Sequence, residues 1–279
     1  MDTIPMFRLL KSPLNSRFDG IRNSIYNLIY FLNMKIALLG YGKMGLIIER
    51  YAIERGHEVV LKINLENQSE LTPENLSKAD VAIDFSAPDA AIANIYTCFE
   101  AKIPVVVGTT GWYGELQKVK NDCLDSNNTL LYGSNFSIGV NVFFHVNKVL
   151  AKLMNNFPAY DVQVEEIHHT QKLDSPSGTA MTIAEGIIDN LERKEEWVNI
   201  LDGNAPAENL KHEQLLIASE RVDQVPGTHT VVYSSEVDEI EFKHTAHSRA
   251  GFALGSVIAA EWLQDKHGFF NIADIFNFK

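Results

Sequence analysis

The residues whose types and spacing most clearly carry chemistry lie in one run, Glu166-Ile167-His168-His169-Thr170-Gln171-Lys172-Leu173-Asp174-Ser175-Pro176-Ser177-Gly178-Thr179-Ala180. Two histidines and a lysine offer proton donors and positive charge, because an imidazole titrates near neutrality. Ser177 has the side chain of a helix N-cap, and Ala180, Ile183, Ala184, Ile187, Ile188 and Leu191 follow on one apolar helical face. The N–H groups of Gly178 and Thr179 then fall in a first helical turn without intrahelical acceptors and suit a carboxylate, a placement worth roughly 0.3–1 kcal/mol per charge. Neighbouring strand residues point to opposite faces, so His168 and His169 share a pocket only if the chain bends there. A metal pair is not expected, since no third ligand follows at suitable spacing and no H-E-x-x-H pattern occurs.

A second constellation is Gly40-Tyr41-Gly42-Lys43-Met44-Gly45, which fits G-x-G-x-x-G directly after an apolar strand and at the start of a helical pattern. Its glycines permit a tight turn, close approach of backbone to a pyrophosphate, and close packing of helix on strand. The expected ligand is a nicotinamide dinucleotide, NADH or NADPH. The position that normally holds an acidic residue for the adenosine ribose carries Asn64, flanked by Lys62 and Glu66. Lys62 and Lys43 favour a 2'-phosphate and Glu66 favours free ribose hydroxyls, so both cofactors stay open. Three further loops of small and hydroxyl residues follow strands, at Asp84-Phe85-Ser86, Gly108-Thr109-Thr110-Gly111 and Asn135-Phe136-Ser137. Together they suit a nicotinamide ribose at one sheet edge.

The elements that must position these groups are legible in the periodicity. Strands are expected at Lys35–Leu39, His57–Ile63, Val81–Phe85, Ile103–Val107 and Leu130–Tyr132, alternating with helices, which implies a doubly wound parallel sheet. After about Ser137 the rhythm changes to a long helix from about Val140 to Met154, a strand Asp161–His168, a helix, and successive strand-like runs at Gln214–Ala218, Thr228–Tyr233 and Asp238–His247. Successive strands favour an open mixed sheet in a second domain. A last helix, Gly251–Lys266, has a broad apolar face and is expected to pack back on the first domain.

Composition narrows the partners. A net charge of −12 and no Lys/Arg run argue against nucleic acid. Cys98 and Cys123 lack metal-ligand spacing and read as free thiols of a cytoplasmic protein. Residues 1–33 show no sustained periodicity and are expected to lie outside the fold, as an upstream extension with Met34 as the true start or as an amphipathic partner segment. They lack the features of a signal peptide, and the apolar patch Ile25–Leu32 is too short to span a membrane.

Taken together, the glycine turn, the loops at Asp84, Gly108 and Asn135, and above all the His168–Ala180 segment resemble the dihydrodipicolinate reductase family from Met34 to Lys279. The resemblance implies an α/β fold, a Rossmann-type doubly wound sheet of residues 34–137 with 248–279. An inserted α+β substrate-binding and oligomerisation domain of residues 138–247 is built on an open mixed sheet, with hinges near Ser137 and Arg249. It implies reduction of a cyclic imine dicarboxylate in lysine and diaminopimelate synthesis, within a homotetramer. His168 is then the general acid, and Lys172 carries charge and helps move a proton. His169, Gly178 and Thr179 hold carboxylates. Gly40, Tyr41, Gly42, Lys43, Met44, Gly45, Asn64, Ser86, Gly108, Thr109, Thr110, Asn135, Phe136 and Ser137 hold the cofactor. Two departures stand out: Glu220-Arg221-Val222-Asp223-Gln224-Val225-Pro226-Gly227 replaces a longer family loop with an Arg-Gly-Gly turn, and Asn64 leaves the cofactor choice open. The rival expectations are another dehydrogenase of the same plan and a catalytically silent nucleotide sensor.

Overall fold

The computed structural model describes residues 33–203 and 210–277. The extension expected over residues 1–33 therefore lies, apart from Asn33, outside the described residues. The first half builds β1 (Lys35–Leu39), α1 (Lys43–Glu54), β2 (Glu58–Ile63), α2 (Pro73–Leu76), β3 (Val81–Asp84), α3 (Pro88–Ala101), β4 (Val105–Val107), α4 (Leu116–Asp125) and β5 (Thr129–Tyr132). Then come α5 (Ile138–Met154), β6 (Asp161–His168), α6 (Gly178–Ile188), β7 (Glu196–Leu201), β8 (Gln214–Arg221), β9 (Gly227–Ser234), β10 (Glu239–Ala246), α7 (Ala250–Leu263) and β11 (Gly268–Asn271).

The first sheet is wholly parallel, in the order β11-β5-β4-β3-β1-β2. Its strands read as unbroken apolar runs because both faces are covered. Ile36, Leu38, Ile83 and Val106 pack under α1 and α7, whereas Ala37, Leu39, Val105 and Val107 pack under α3 and α4. The chain reverses its winding between β1 and β3, and such a switch point opens a crevice at the carboxyl ends of the strands. Gly40, at φ +90°, turns the chain there, and a Cβ on it would overlap the Phe85 carbonyl oxygen.

The second sheet is mixed, in the order β10-β9-β6-β8-β7, with β6, β8 and β7 parallel and β9 and β10 antiparallel to their neighbours. One face is sealed by α5 and α6, whose Phe143, Ala180, Ile183 and Ile187 meet Val162, Val164, Leu215, Ile217 and Val231. Phe143 stacks on Phe242 at 4.2 Å. The opposite face, with Gln163, Leu216 and Val232 in one register row, is only partly buried.

Two strands escaped the sequence patterns. β7 begins with the polar Glu196 and contains Asn199, and β11 is a four-residue edge strand after a short turn. The expected strand from Gln214 also runs further, through Arg221, so Glu220 and Arg221 belong to β8 rather than to the following loop. The last helix returns to the first sheet as expected: buried Glu261 accepts from Arg55 at 2.6 and 2.7 Å and lies 2.8 Å from His57 Nε2, tying α7 to the end of α1. Cys98 and Cys123 are buried and free, and burial raises both thiols, Cys123 to about 11. Among the described residues no helix is long and apolar enough to cross a membrane.

Candidate active site

Three cavities run in a row from the glycine turn to the second sheet. The first, of 440 Å³, is walled by Gly40, Tyr41 and Gly42, by Asn64 and Glu66 after β2, and by Phe85 and Ser86 after β3. The second, of 220 Å³, shares Phe85 and adds Met44, Gly108 and Phe136. It meets the third at Ser134, Arg249 and Phe252. The third, of 1160 Å³, holds Thr110 and Asn135 from the first sheet's edge and His168, His169, Lys172, Ser177, Gly178 and Thr179 from the second.

The first two cavities fit a dinucleotide on observations of the chain itself. Gly42 leaves open space at the helix start, with no atom within 4 Å of where a Cβ would stand. Gly45 is buried, and a Cβ there would press on the Gly40 carbonyl oxygen at 2.8 Å. A Cβ on Gly108 would overlap the Phe85 ring. Not every expected contact residue faces the cavities. Lys43 is exposed and lines none of the three. Thr109 is buried and donates to Asp84 Oδ1 at 2.6 Å, and the Ser86 hydroxyl donates to the same oxygen at 2.7 Å. These hydroxyls lock the two loops to each other through Asp84. Phe136 is a core residue set edge-on to Phe85, with part of its ring at the middle cavity. Ser137 caps α5 by accepting from Val140 N at 3.4 Å. Asn135 reaches across, its Nδ2 3.5 Å from Thr179 Oγ1.

On the side of the second sheet, β6 ends at His168 and the chain turns, so His168 and His169 both reach the third cavity. Ser177 caps α6 by accepting from Ala180 N at 3.1 Å, which aims the helix start and the Gly178 and Thr179 amides at the same space. Lys172 lines it and is held by Asp174, with Nζ 2.8 Å from both carboxylate oxygens. In a chain of net charge −12, Asp174 is the one carboxylate among the lining residues and is paired with Lys172, so Arg249 leaves the wall with an excess positive charge suited to an anion.

Beneath His168 lies a buried network. Glu166 is fully buried, and both its oxygens accept from Ser177 N at 3.1 Å. Ser219 Oγ donates to it at 2.9 Å, and Arg221 lies 3.4 Å away. Burial pushes the Glu166 carboxyl up, but hydrogen bonds from His229, Ser177 and Ser219 outweigh it and hold the group well below the usual carboxylate range. His168 is pushed down to about 4 by burial and by His229 and Lys172, against the opposing pull of Glu166. Ligand atoms of Glu166, His168 and His229 come within 4.8 Å of one another, a spacing that suits a metal ion. Here the amide, hydroxyl and guanidinium donors already engage Glu166, so the cluster reads as a hydrogen-bond network.

Family models described as the N-terminus and the C-terminus of dihydrodipicolinate reductase match residues 34–136 and 139–276. The chain belongs to the dihydrodipicolinate reductase family. It is 48% identical over 242 residues to a 4-hydroxy-tetrahydrodipicolinate reductase of Christiangramia forsetii, covering 87% of this chain and 97% of the relative. It is 34% identical to the Methanosarcina acetivorans protein of that name, over 86% of this chain and 88% of the relative. A dipicolinate-bound dihydrodipicolinate reductase from Paenisporosarcina sp. TG-14 shares the fold with a TM-score of 0.70 and 22% identity, over 88% of this chain and 100% of that one.

Within this dihydrodipicolinate reductase family member, the sequence patterns left Glu166, Ser219, Arg221 and His229 without a role. The signal was present for two of them. The alternation that buries Val162 and Val164 also buries Glu166, and the alternation that buries Val231 and Tyr233 also buries His229. A polar residue at an inward position needs a partner. Which partner it takes depends on register: Glu166 stands opposite Ser219 on β8 and His229 on β9.

Proposed function

We propose that this chain reduces 4-hydroxy-tetrahydrodipicolinate to tetrahydrodipicolinate with NADH or NADPH, in the synthesis of diaminopimelate and lysine. The observation that carries this reading is the row of three cavities, each sharing wall residues with the next, from Gly42 to His168, Lys172 and the α6 start. The substrate loses its hydroxyl as water. A bound reduced nicotinamide supplies a hydride to the conjugated ring, and one proton completes the reduction. His168 is the general acid for that proton, and Lys172 sets positive charge against the ring nitrogen or a carboxylate. His169 and the Gly178 and Thr179 amides hold carboxylates. Gly40, Gly42, Met44 and Gly108, with the loops at Ser86, Thr110 and Asn135, would hold the dinucleotide.

In this reading residues 34–137 with 248–279 form the nucleotide domain, and residues 138–247 form the substrate domain. Ser137 and Arg249 are the hinges, and closure about them expels water. The incompletely covered sheet face supports a homotetramer, the acidic charge argues against a nucleic-acid partner, and the two free thiols support a cytoplasmic enzyme.

The test is oxidation of NADH and NADPH with freshly generated 4-hydroxy-tetrahydrodipicolinate. Lys172→Ala is expected to lose about 10²-fold or more in kcat/KM while cofactor affinity holds. A wild type that binds the cofactor and leaves this substrate untouched overturns the reading.

A further inference from the structure

The hydrogen bonds around His168 specify where its protons are. Nδ1 lies 3.2 Å from the Pro226 carbonyl oxygen, which can only accept, so Nδ1 carries hydrogen. In the neutral ring Nε2 is then a lone pair, and it lies 3.3 Å from His229 Nε2, which must carry hydrogen for the two to bond. Ser177 Oγ stands 3.1 Å from the same His229 nitrogen, and Glu166 Oε2 stands 3.7 Å from it and 3.6 Å from His168 Nε2. The ring has little room to leave this arrangement: a Cβ on Gly227 would meet His168 Cε1 at 2.7 Å. Among the described residues, the other charged or titratable groups that face this network are Lys172 with its partner Asp174, Arg221 on β8, and His244, which stands opposite His229 on β10.

We propose that Glu166 and His229 are positioning residues for the reduction, a buried carboxylate and imidazole that fix the tautomer of His168 and balance its charge when it carries the proton. This rests on the functional reading above. His168 becomes an imidazolium by taking a proton at Nε2, beside the Glu166 carboxylate, and the His229 Nε2–H turns from that nitrogen to Ser177 Oγ, 3.1 Å away, until the proton has been given up. It gives that proton to the ring as the hydride arrives, and returns to the Nδ1–H form bonded to Pro226. The two electrons come with the hydride, and the imidazole pair is left as it began. An anionic substrate raises the proton affinity of His168 on entering the cavity, so the acid is charged only when there is something to protonate.

Nitrogen NMR of the full chain labelled in histidine, with NADH and with and without pyridine-2,6-dicarboxylate, reads the tautomer directly and needs no turnover. The expected result is a neutral Nδ1–H His168 without the dicarboxylate and a doubly protonated His168 with it, the latter lost in Glu166→Gln. In kinetics, His229→Gln keeps a donor near the same point but cannot share a proton. It is expected to lower kcat about 10- to 10²-fold with KM changed by no more than about twofold. In Glu166→Gln the basic limb of the kcat profile is expected to move to lower pH. An Nε2–H His168 in the wild type, or unchanged kcat and pH limbs in both variants, overturns the proposal. A chain that leaves the cyclic imine untouched defeats the functional reading instead, and the tautomer measurement still decides this one.

Discussion

Lys62 shows how a charge that suggests one partner in the sequence can be taken by another in the fold. Its ammonium sits 2.5 Å from Glu49 Oε1 and over the Tyr41 ring, and the Tyr41 hydroxyl donates to the same carboxylate. Glu49 is held below the usual carboxylate range, first by Lys62 and then by Tyr41. At the proposed adenosine end, the cleft therefore presents Glu66 and an Asn64 whose Oδ1 accepts from the Glu66 and Asn67 amides at 2.8 and 3.2 Å. NADH is expected to be the better cofactor, and Glu49→Gln, by freeing Lys62, to raise the NADPH/NADH ratio of kcat/KM by about three- to tenfold. A ratio that does not move means Lys62 does not face the ribose. The buried pair below the cavity makes a second prediction. His168 is depressed from 6.5 to about 4 and Glu166 is depressed too, so the unfolded chain binds more protons than the fold in acid. Stability is thus full above pH 6.5 and falls as pH drops toward 4. Thermal denaturation across that range is expected to show a declining Tm, and His168→Gln to flatten the upper part of the decline.

At the scale of elements, helix starts and close crossings do most of the positioning. The α6 start is aimed by the Ser177 cap, while Asn135 joins it to the loop after β5. Helix α7 crosses that loop so closely that a Cβ at Gly255 would overlap the Phe136 carbonyl oxygen. Gly255→Ala is expected to cost stability at the upper end of about 1–3 kcal/mol, seen as a lower urea midpoint, because backbone rather than a flexible side chain must yield. It is also expected to weaken NADH binding, since Phe136 walls the middle cavity. A variant with wild-type stability would mean the helix slides at no cost. The cap and the parallel strands were readable in advance, from Ser177 before an apolar helical stripe and from the apolar runs at β1, β3 and β4. The edge strand β11 was not, since four residues pairing with β5 carry too little pattern to stand out.

At the scale of the whole molecule, the helices among the described residues seal the second sheet on one side alone. On the other, Leu216, Gln163, Val232 and Glu241 form a row across four strands. That partly apolar row is where subunit contacts of the proposed tetramer would form. Leu216→Glu is expected to reduce the mass seen by light scattering while the isolated fold persists, because the changed side chain points away from the core shared by α5 and α6. Unchanged mass would move the contact to another surface.

By itself the sequence determined the chemistry available and its rough address: a glycine turn after a strand, small-residue loops after three others, and His168, Lys172 and the Ser177 cap in one short run. These are local features, set by backbone sterics and side-chain alternation over a few residues. Only the tertiary structure decided which buried groups meet. The register of β6 between β8 and β9 brings Glu166 to Ser219 and His229, residues 53 and 63 positions apart from it in the chain for which the hydrogen-bond ladder, not the side chains, fixes the pairing. It also decided that Lys62 belongs to Glu49 and Thr109 to Asp84, because hydrogen bonds of long sequence separation form only once the sheet has set the distances.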